Sequence, residues 1–541
     1  MFPSFSHLIV TPWKSEDVAP KNPLPDLYEA SIVEQQSGLK SGHFNSLDLV
    51  KAYLTRIEEV NFRGAALRAV IEVNTKALKQ AAELDAERSS RGSRGPLHGI
   101  PLLIKDNIAT LHEEGMNTTA GSLALLGSVV PGDAFVVSKL RKAGAIFIGK
   151  ANMSEWASFR GESVPNGFSA RGGQGSGPYY PLLDPSASSS GSAVAVAVGL
   201  AAGSLGSETT GSIVLPASRN NVVGIKPTVG LVSRTGVIPI STHQDTVGPL
   251  GRCVSDAALL LSVIAGPDPR DEITLSQPNV IPDYTKALSR SALKGKRLGV
   301  PRSLMGHDQT INDAFDRSLV AFRDLGADVT DPVDFASAEQ LKSSKAEDIV
   351  LTTDFKVDLD KYLSQLVEVP TGVRSLADVI KFNFEHADVE LPPPYYEDQS
   401  QLIASEASKI DDAYRAALVE DRELGRVRGI DATLEALQLD ALILPTHSYA
   451  TKATGVAGYP IISVPLGFYP SDTKPFPSDP SPLYDRAPNT PFGIAFIGIA
   501  YSEFKLISLA YAFEQARTAR LQRRAYPLAI PSTQLKDVMC E

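Results

Sequence analysis

Residues 186–213 read SASSSGSAVAVAVGLAAGSLGSETTGSI. A knot of serines opens the stretch, a run of Ala, Val and Gly follows, and a second knot of Ser, Thr and Gly closes it. Side chains this small let one backbone approach another closely. Two readings compete: flexible loops around a buried element, or hydroxyl groups carried to one place for nucleophilic chemistry. The rest of the chain decides between them.

At 541 residues the chain can bury a large core, and its 43% hydrophobic and 21% charged content is that of an ordinary globular protein. A formal charge of -10 argues against binding nucleic acid by phosphate neutralisation. Two cysteines, Cys253 and Cys540, are too few for a disulfide framework or a multi-cysteine zinc site, and whether they pair is left open. The eight histidines never fall at HExxH or another close ligand spacing. The N-terminal MFPSFSHLIVTPWKSE has no basic segment ahead of its short apolar patch, so no signal peptide is expected and the cytoplasm is the expected compartment. The run 193–203 is far shorter than the roughly 20 residues of a membrane span.

The first ninety or so residues read as helical. Ser46 is placed to cap a segment in which Leu47, Val50, Leu54 and Ile57 recur at helical spacing, and 77–88 is a second helical run. Beyond residue 90 short apolar strands are expected at 100–104, 145–148, 297–300, 441–444, 461–464 and 494–497. Helices capped by Asp133, Ser255 and Ser502 alternate with them. That alternation predicts an α/β fold with a mostly parallel or mixed central sheet covered by helices. Segment 330–435 is more acidic and helical, broken at 392–394, and 470–482 reads as a surface loop. The expected organisation is an extension over 1–24 and one large domain over 25–535. Its core of motifs lies at 90–270, and 330–435 is a helical elaboration on the substrate side.

Several chemistries are absent. There is no G-x-S-x-G elbow, which argues against a Ser-His-Asp hydrolase of the α/β type. GAIFIGKA (144–151) matches G-x-x-x-x-G-K but has Ala151 where a phosphate loop needs Ser or Thr, and its apolar middle reads as a strand. The S-x-x-K at Ser291 to Lys294 sits in a basic stretch and reads as a solvated connector.

Lys105, in HGIPLLIKDNIAT, emerges at the end of an apolar strand. It can snorkel to solvent, or stay desolvated and serve as a general base. A neutral amine near pH 7.5 requires a fall of about three units from the ordinary value near 10.4, a differential cost of roughly 4 kcal/mol.

Lys105, the serine knot and the later TGSI together resemble the amidase signature family of serine hydrolases, which the chain matches from about Ser46 to YSEFKLISLAYAFEQAR. ARGGQ, SSSGSAVAVA, ETTGSI, KPTVGLVSRTGVIPIS and GVRSLADVIKFNFEHAD resemble the peptide amidase subgroup. The resemblance implies a Lys–cis-Ser–Ser triad in which Lys105 is the base, Ser188 the bridging serine and Ser212 the nucleophile. Ser212 stands 24 residues beyond Ser188, as in that family. Thr209, Thr210 and Gly211 then resemble the turn that holds the oxyanion, and the small-residue run between the knots becomes a helix.

The implied reaction is hydrolysis of a carboxamide C–N bond through an acyl-enzyme on Ser212. Ester or carbamate hydrolysis by the same triad, an amidotransferase subunit and an impaired binding scaffold are the alternatives. The expected partner is a small-molecule or peptide amide, with no metal, no cofactor and no nucleic acid, in a monomer or homodimer. Two positions depart from the family pattern: Ser186-Ala187 stands where Gly-Gly is common, and Thr210 where Gly is common. A methyl at Ala187 is expected to strain a position that favours glycine torsions, at about 1 kcal/mol.

Overall fold

The computed structural model describes residues 24–480 and 482–539. The extension expected over 1–24, apart from Leu24, lies outside the described residues, as does Cys540; among the described residues Cys253 forms no disulfide. Eleven strands form one sheet. In chain order they are β1 (Val70–Val73), β2 (Pro101–Lys105), β3 (Ile146–Ala151), β4 (Gly203–Glu208), β5 (Val223–Lys226) and β6 (Thr246–Gly251). The second half adds β7 (Arg297–Gly299), β8 (Asp328–Thr330), β9 (Ala441–Pro445), β10 (Ile461–Phe468) and β11 (Pro491–Ile497). Their spatial order is β1-β3-β2-β4-β6-β5-β10-β11-β9-β7-β8.

The sheet is mixed. Strands β3, β2 and β4 run parallel, as do β9, β7 and β8, whereas the neighbours between these two groups pair antiparallel. Every residue of β2, β3 and β4 is buried, which explains their continuous apolar or small-residue sequences. The parallel pairing, with Ile104 opposite Leu205, has a direct consequence. It sends the C-terminal ends of β2 and β4 to the same edge of the sheet, so Lys105 and the turn after Glu208 emerge side by side.

The helix between the two knots spans Ser190–Ala197, and all of its residues are buried. The run then turns and becomes β4, so only the first part of 193–203 is helical. Gly191 shows why small residues are needed here. A Cβ on it would lie 2.2 Å from the Ala69 carbonyl oxygen and 2.5 Å from that of Asn152, both backbone atoms that cannot rotate away. The Gly191 N–H instead donates to the Asn152 carbonyl at 3.0 Å.

The expected helices form, but their capping residues differ. Helix Ser46–Ile57 is capped by Asn45, whose side chain accepts from the Asp48 N–H in a reciprocal box, while the Ser46 N–H donates to Asp85. Asp133 does not cap helix Phe135–Lys142: its carboxylate accepts from Leu111 N–H and Arg141, and Ala134 stands at the cap. Ser255 lies inside Val254–Ile264, whose cap position is Cys253. Ser502 does precede Glu503–Arg517, but its hydroxyl donates to the Ile499 carbonyl. Ser46 and Asp133 are drawn to partners distant in the chain, whereas Ser255 and Ser502 bond their near neighbours Cys253 and Ile499.

Segment 330–435 is helical as expected, with Ala338–Ser343, Ala346–Ser364, Leu376–Glu385, Ser400–Ala407 and Asp412–Arg422 among its helices. The loop at 470–482 contributes Phe476–Pro477 to a small ribbon with Tyr484–Arg486. Among the described residues no helix is long and apolar enough to cross a membrane.

Candidate active site

Lys105 ends β2 with its side chain fully buried. Its ammonium nitrogen donates to Ser188 Oγ at 2.8 Å, to Ser207 Oγ at 2.9 Å and to the Ser207 carbonyl at 3.1 Å. Asn107 Nδ2 also reaches Ser207 Oγ, at 2.9 Å, and fixes that hydroxyl from its other side. Burial pulls the Lys105 amine down from 10.5 to about 7; the charges of Asp245 and Glu208 oppose the shift and are outweighed. Such a lysine has given up roughly 5 kcal/mol of preference for its charged form. The snorkelling alternative is excluded by this geometry.

The first serine knot meets this lysine directly. The Ala187–Ser188 peptide is cis, Ser188 is fully buried, and its carbonyl accepts from the Ser154 N–H at 3.1 Å. The strained position differs from the expected one: Ser186, not Ala187, has a positive φ, of 63°. Its N–H donates to Asp184 Oδ1 at 2.7 Å, which helps to offset a left-handed cost of about 1 kcal/mol.

The second knot is anchored by a carboxylate. Glu208, buried at the end of β4, accepts the Gly211 N–H at 2.9 Å on one oxygen. Its other oxygen accepts from Ile213 at 2.7 Å and Val214 at 3.0 Å, which are otherwise unpaired donors at the start of helix Val214–Arg219. The Gly211 N–H is therefore already engaged. The Thr210 and Ser212 N–H groups, by contrast, have no acceptor among the described residues. Thr209 Oγ1 donates to Asp245 Oδ1 at 2.5 Å, and Asp245 in turn accepts the N–H groups of Ile240 and Ser241.

Ser212 is 8% exposed, more than Ser188 or Lys105. The two knots are tied by one main-chain bond, Ser189 N–H to the Ser212 carbonyl at 3.0 Å. No hydrogen bond joins the Ser188 and Ser212 hydroxyls among the described residues, and Ser212 Oγ is unengaged among them. A cavity of about 510 Å³ lies nearby, walled by Arg234, Asp245, Asp271, Asp358 and Tyr362, but none of the three candidates lines it. Chemistry rather than cavity size identifies the site.

Four contributors were invisible in the sequence: Ser207, Asn107, Asp245 and Glu347, whose carboxylate accepts from Thr210 Oγ1. Glu208 was visible in principle, since a carboxylate just ahead of a helix start is a recognised donor trap. Beside Ser154, three consecutive non-glycine residues, Trp156, Ala157 and Ser158, adopt left-handed torsions that nothing in SEWAS announces.

The arrangement pairs a buried low-pKa amine and the hydroxyl it bonds with a second, 8% exposed hydroxyl and unpaired N–H donors. It suits acyl transfer. The family model for amidases matches residues 48–507. A probable amidase of Arabidopsis thaliana is 43% identical over 500 residues, covering 91% of this chain and 91% of that protein. The crystal structure of the native peptide amidase of Stenotrophomonas maltophilia superposes with a TM-score of 0.83 at 43% identity, over 92% of this chain and 98% of that one. An amidase family protein of Bacillus anthracis gives 0.80 at 33% identity, over 94% and 93%. The chain belongs to the amidase family and is an amidase, a hydrolase of amide C–N bonds.

Proposed function

We propose that this amidase works through Lys105, Ser188 and Ser212 and an acyl-enzyme on Ser212. The observation that carries the reading is the 2.8 Å bond from a fully buried Lys105 to Ser188 Oγ. In the proposed cycle neutral Lys105 accepts the Ser188 proton while Ser188 accepts that of Ser212. Ser212 Oγ then adds to the amide carbonyl carbon. The oxygen that gains charge is held by the free N–H groups of the turn, those of Thr210 and Ser212. Collapse breaks the C–N bond, and the proton returns through Ser188 to the departing nitrogen. Water, deprotonated by the same relay, then cleaves the ester.

The expected substrate is a small-molecule or peptide carboxamide, in keeping with the peptide amidase of Stenotrophomonas maltophilia at 43% identity. The test is reaction of the purified protein with a fluorophosphonate, followed by peptide mapping. A single adduct on Ser212 supports the reading; an adduct on another serine defeats it.

A further inference from the structure

Thr210 occupies the turn ahead of Ser212, and its side chain enters a closed ring of polar contacts. Its hydroxyl donates to Glu347 Oε1 at 2.5 Å and accepts from Gln244 Nε2 at 3.0 Å. Gln244 Nε2 also donates to Glu347 Oε1, at 3.0 Å, so each of the three side chains touches the other two. Glu347 and Gln244 are 6% and 3% exposed. Glu347 belongs to the first turn of helix Ala346–Ser364, inside the elaboration at 330–435, far in sequence from every other anchor of the turn.

The packing around the ring supports its specificity. Helix Ser448–Ala457 presents Gly455 to it: a Cβ there would lie 2.7 Å from Thr210 Oγ1, 3.1 Å from Gln244 Nε2 and 3.3 Å from the Thr209 carbonyl oxygen. The turn is thus held at three points. Glu208 grips its N–H groups from below, Asp245 takes the Thr209 hydroxyl, and Glu347 takes the Thr210 hydroxyl. Only the last comes from the elaboration. Because Thr209 and Thr210 are adjacent, hydroxyl anchors on Asp245 and Glu347 fix the orientation of the peptide plane between them and of the next N–H groups.

We infer that Glu347, acting through Thr210, is a positioning residue for the turn that stabilises the oxyanion, and so couples the helical elaboration to the chemical step. The inference rests on the reading of Ser212 as nucleophile. Losing the anchor leaves the N–H donors present but misaimed, a defect felt mainly where charge develops in the transition state. Glu347→Ala should lower kcat by about 10- to 100-fold with KM within about threefold, since one aimed donor is worth about 10²–10³ and misaiming costs part of that.

Thr210→Ala should behave similarly, and the double variant should be no worse than the more damaged single one, because both remove the same link. Glu347→Gln keeps an acceptor oxygen and should recover most of kcat. The experiment measures kcat and KM for these variants on one amide that the wild type turns over, with melting curves alongside and fluorophosphonate mapping of each variant.

Multiplicative losses in the double variant, or a Glu347→Ala defect confined to KM, would overturn the inference. So would full activity in folded Thr210→Ala, which removes the link even if Glu347→Ala does not fold. Labelling that maps away from Ser212 in the wild type would instead remove the underlying reading.

Discussion

The Ser189 N–H donates to the Ser212 carbonyl at 3.0 Å, and this one main-chain bond joins the two serine knots. It places the residue after Ser188 against the residue proposed as nucleophile. The intervening chain, a buried helix and β4, is the route by which 24 residues of sequence become adjacent in space.

Ser212→Ala removes one hydroxyl that has no partner among the described residues, so the fold should survive unchanged. Acyl-enzyme formation should stop. Intact-mass measurement after fluorophosphonate treatment should show one adduct on the wild type and none on the variant. Persistent labelling would falsify the nucleophile assignment.

Activity should depend on the proton at Lys105. Burial holds its amine at about 7, and only the neutral form accepts a proton. Below pH 7 the protonated form dominates and kcat/KM should fall roughly tenfold per pH unit; above about 7 it should level off. Lys105→Ala and Lys105→Arg should each lose several orders of magnitude, because a guanidinium stays charged and cannot act as the base. A pH–rate profile with its midpoint above 9, or near-normal rates for folded Lys105→Arg, would contradict the role.

Ser188→Ala should cut kcat by about 10²–10⁴, the usual worth of a positioned proton carrier. The loss should be smaller than for Lys105→Ala, since a water filling the vacated hydroxyl position can carry part of the proton traffic. Steady-state rates of the two variants on one substrate decide the order; the reverse order would argue against a relay.

Glu208→Gln leaves one oxygen for three N–H donors, with an amide NH₂ now facing at least one of them. An unmade buried hydrogen bond costs about 1–3 kcal/mol, so the melting temperature should drop and kcat should fall with it. An unchanged melting curve would mean that the turn holds itself.

Gly191→Ala tests the packing argument. The added methyl would meet backbone atoms at 2.2 and 2.5 Å, so the helix carrying the first knot must shift. Such overpacking costs typically 1–3 kcal/mol. The variant should be less stable and markedly less active, whereas Ala193→Gly, in the same helix, should lose stability without a matching loss of catalytic geometry. Comparable kcat in folded Gly191→Ala would show that the close approach is not needed.

Much of the candidate site was legible in the sequence because the chemistry proposed for it is written in short motifs. The apolar run ahead of Lys105 identified a strand end, and the two knots identified hydroxyl-bearing turns around a segment too small-chained to be a surface. The resemblance supplied the pairing of those motifs. Strand positions were also legible, since fully buried strands such as β2 and β3 have continuous apolar sequences. Other features were decided only by the tertiary structure. Polar residues near helix starts, such as Ser46 and Asp133, found partners elsewhere, and local spacing carries no information about competitors distant in the chain. Strand direction across the middle of the sheet depended on which strands became neighbours. Asn107 and Ser207 lie within the quoted motifs but nothing there marks the contacts of Ser207 with Lys105 and Asn107, and Asp245 and Glu347 come from places no motif joins to them. The sequence by itself determined which groups could react, because reactivity follows from side-chain type and immediate context. The fold alone determined that Lys105 is desolvated beside Ser188, because burial is a property of everything packed around it.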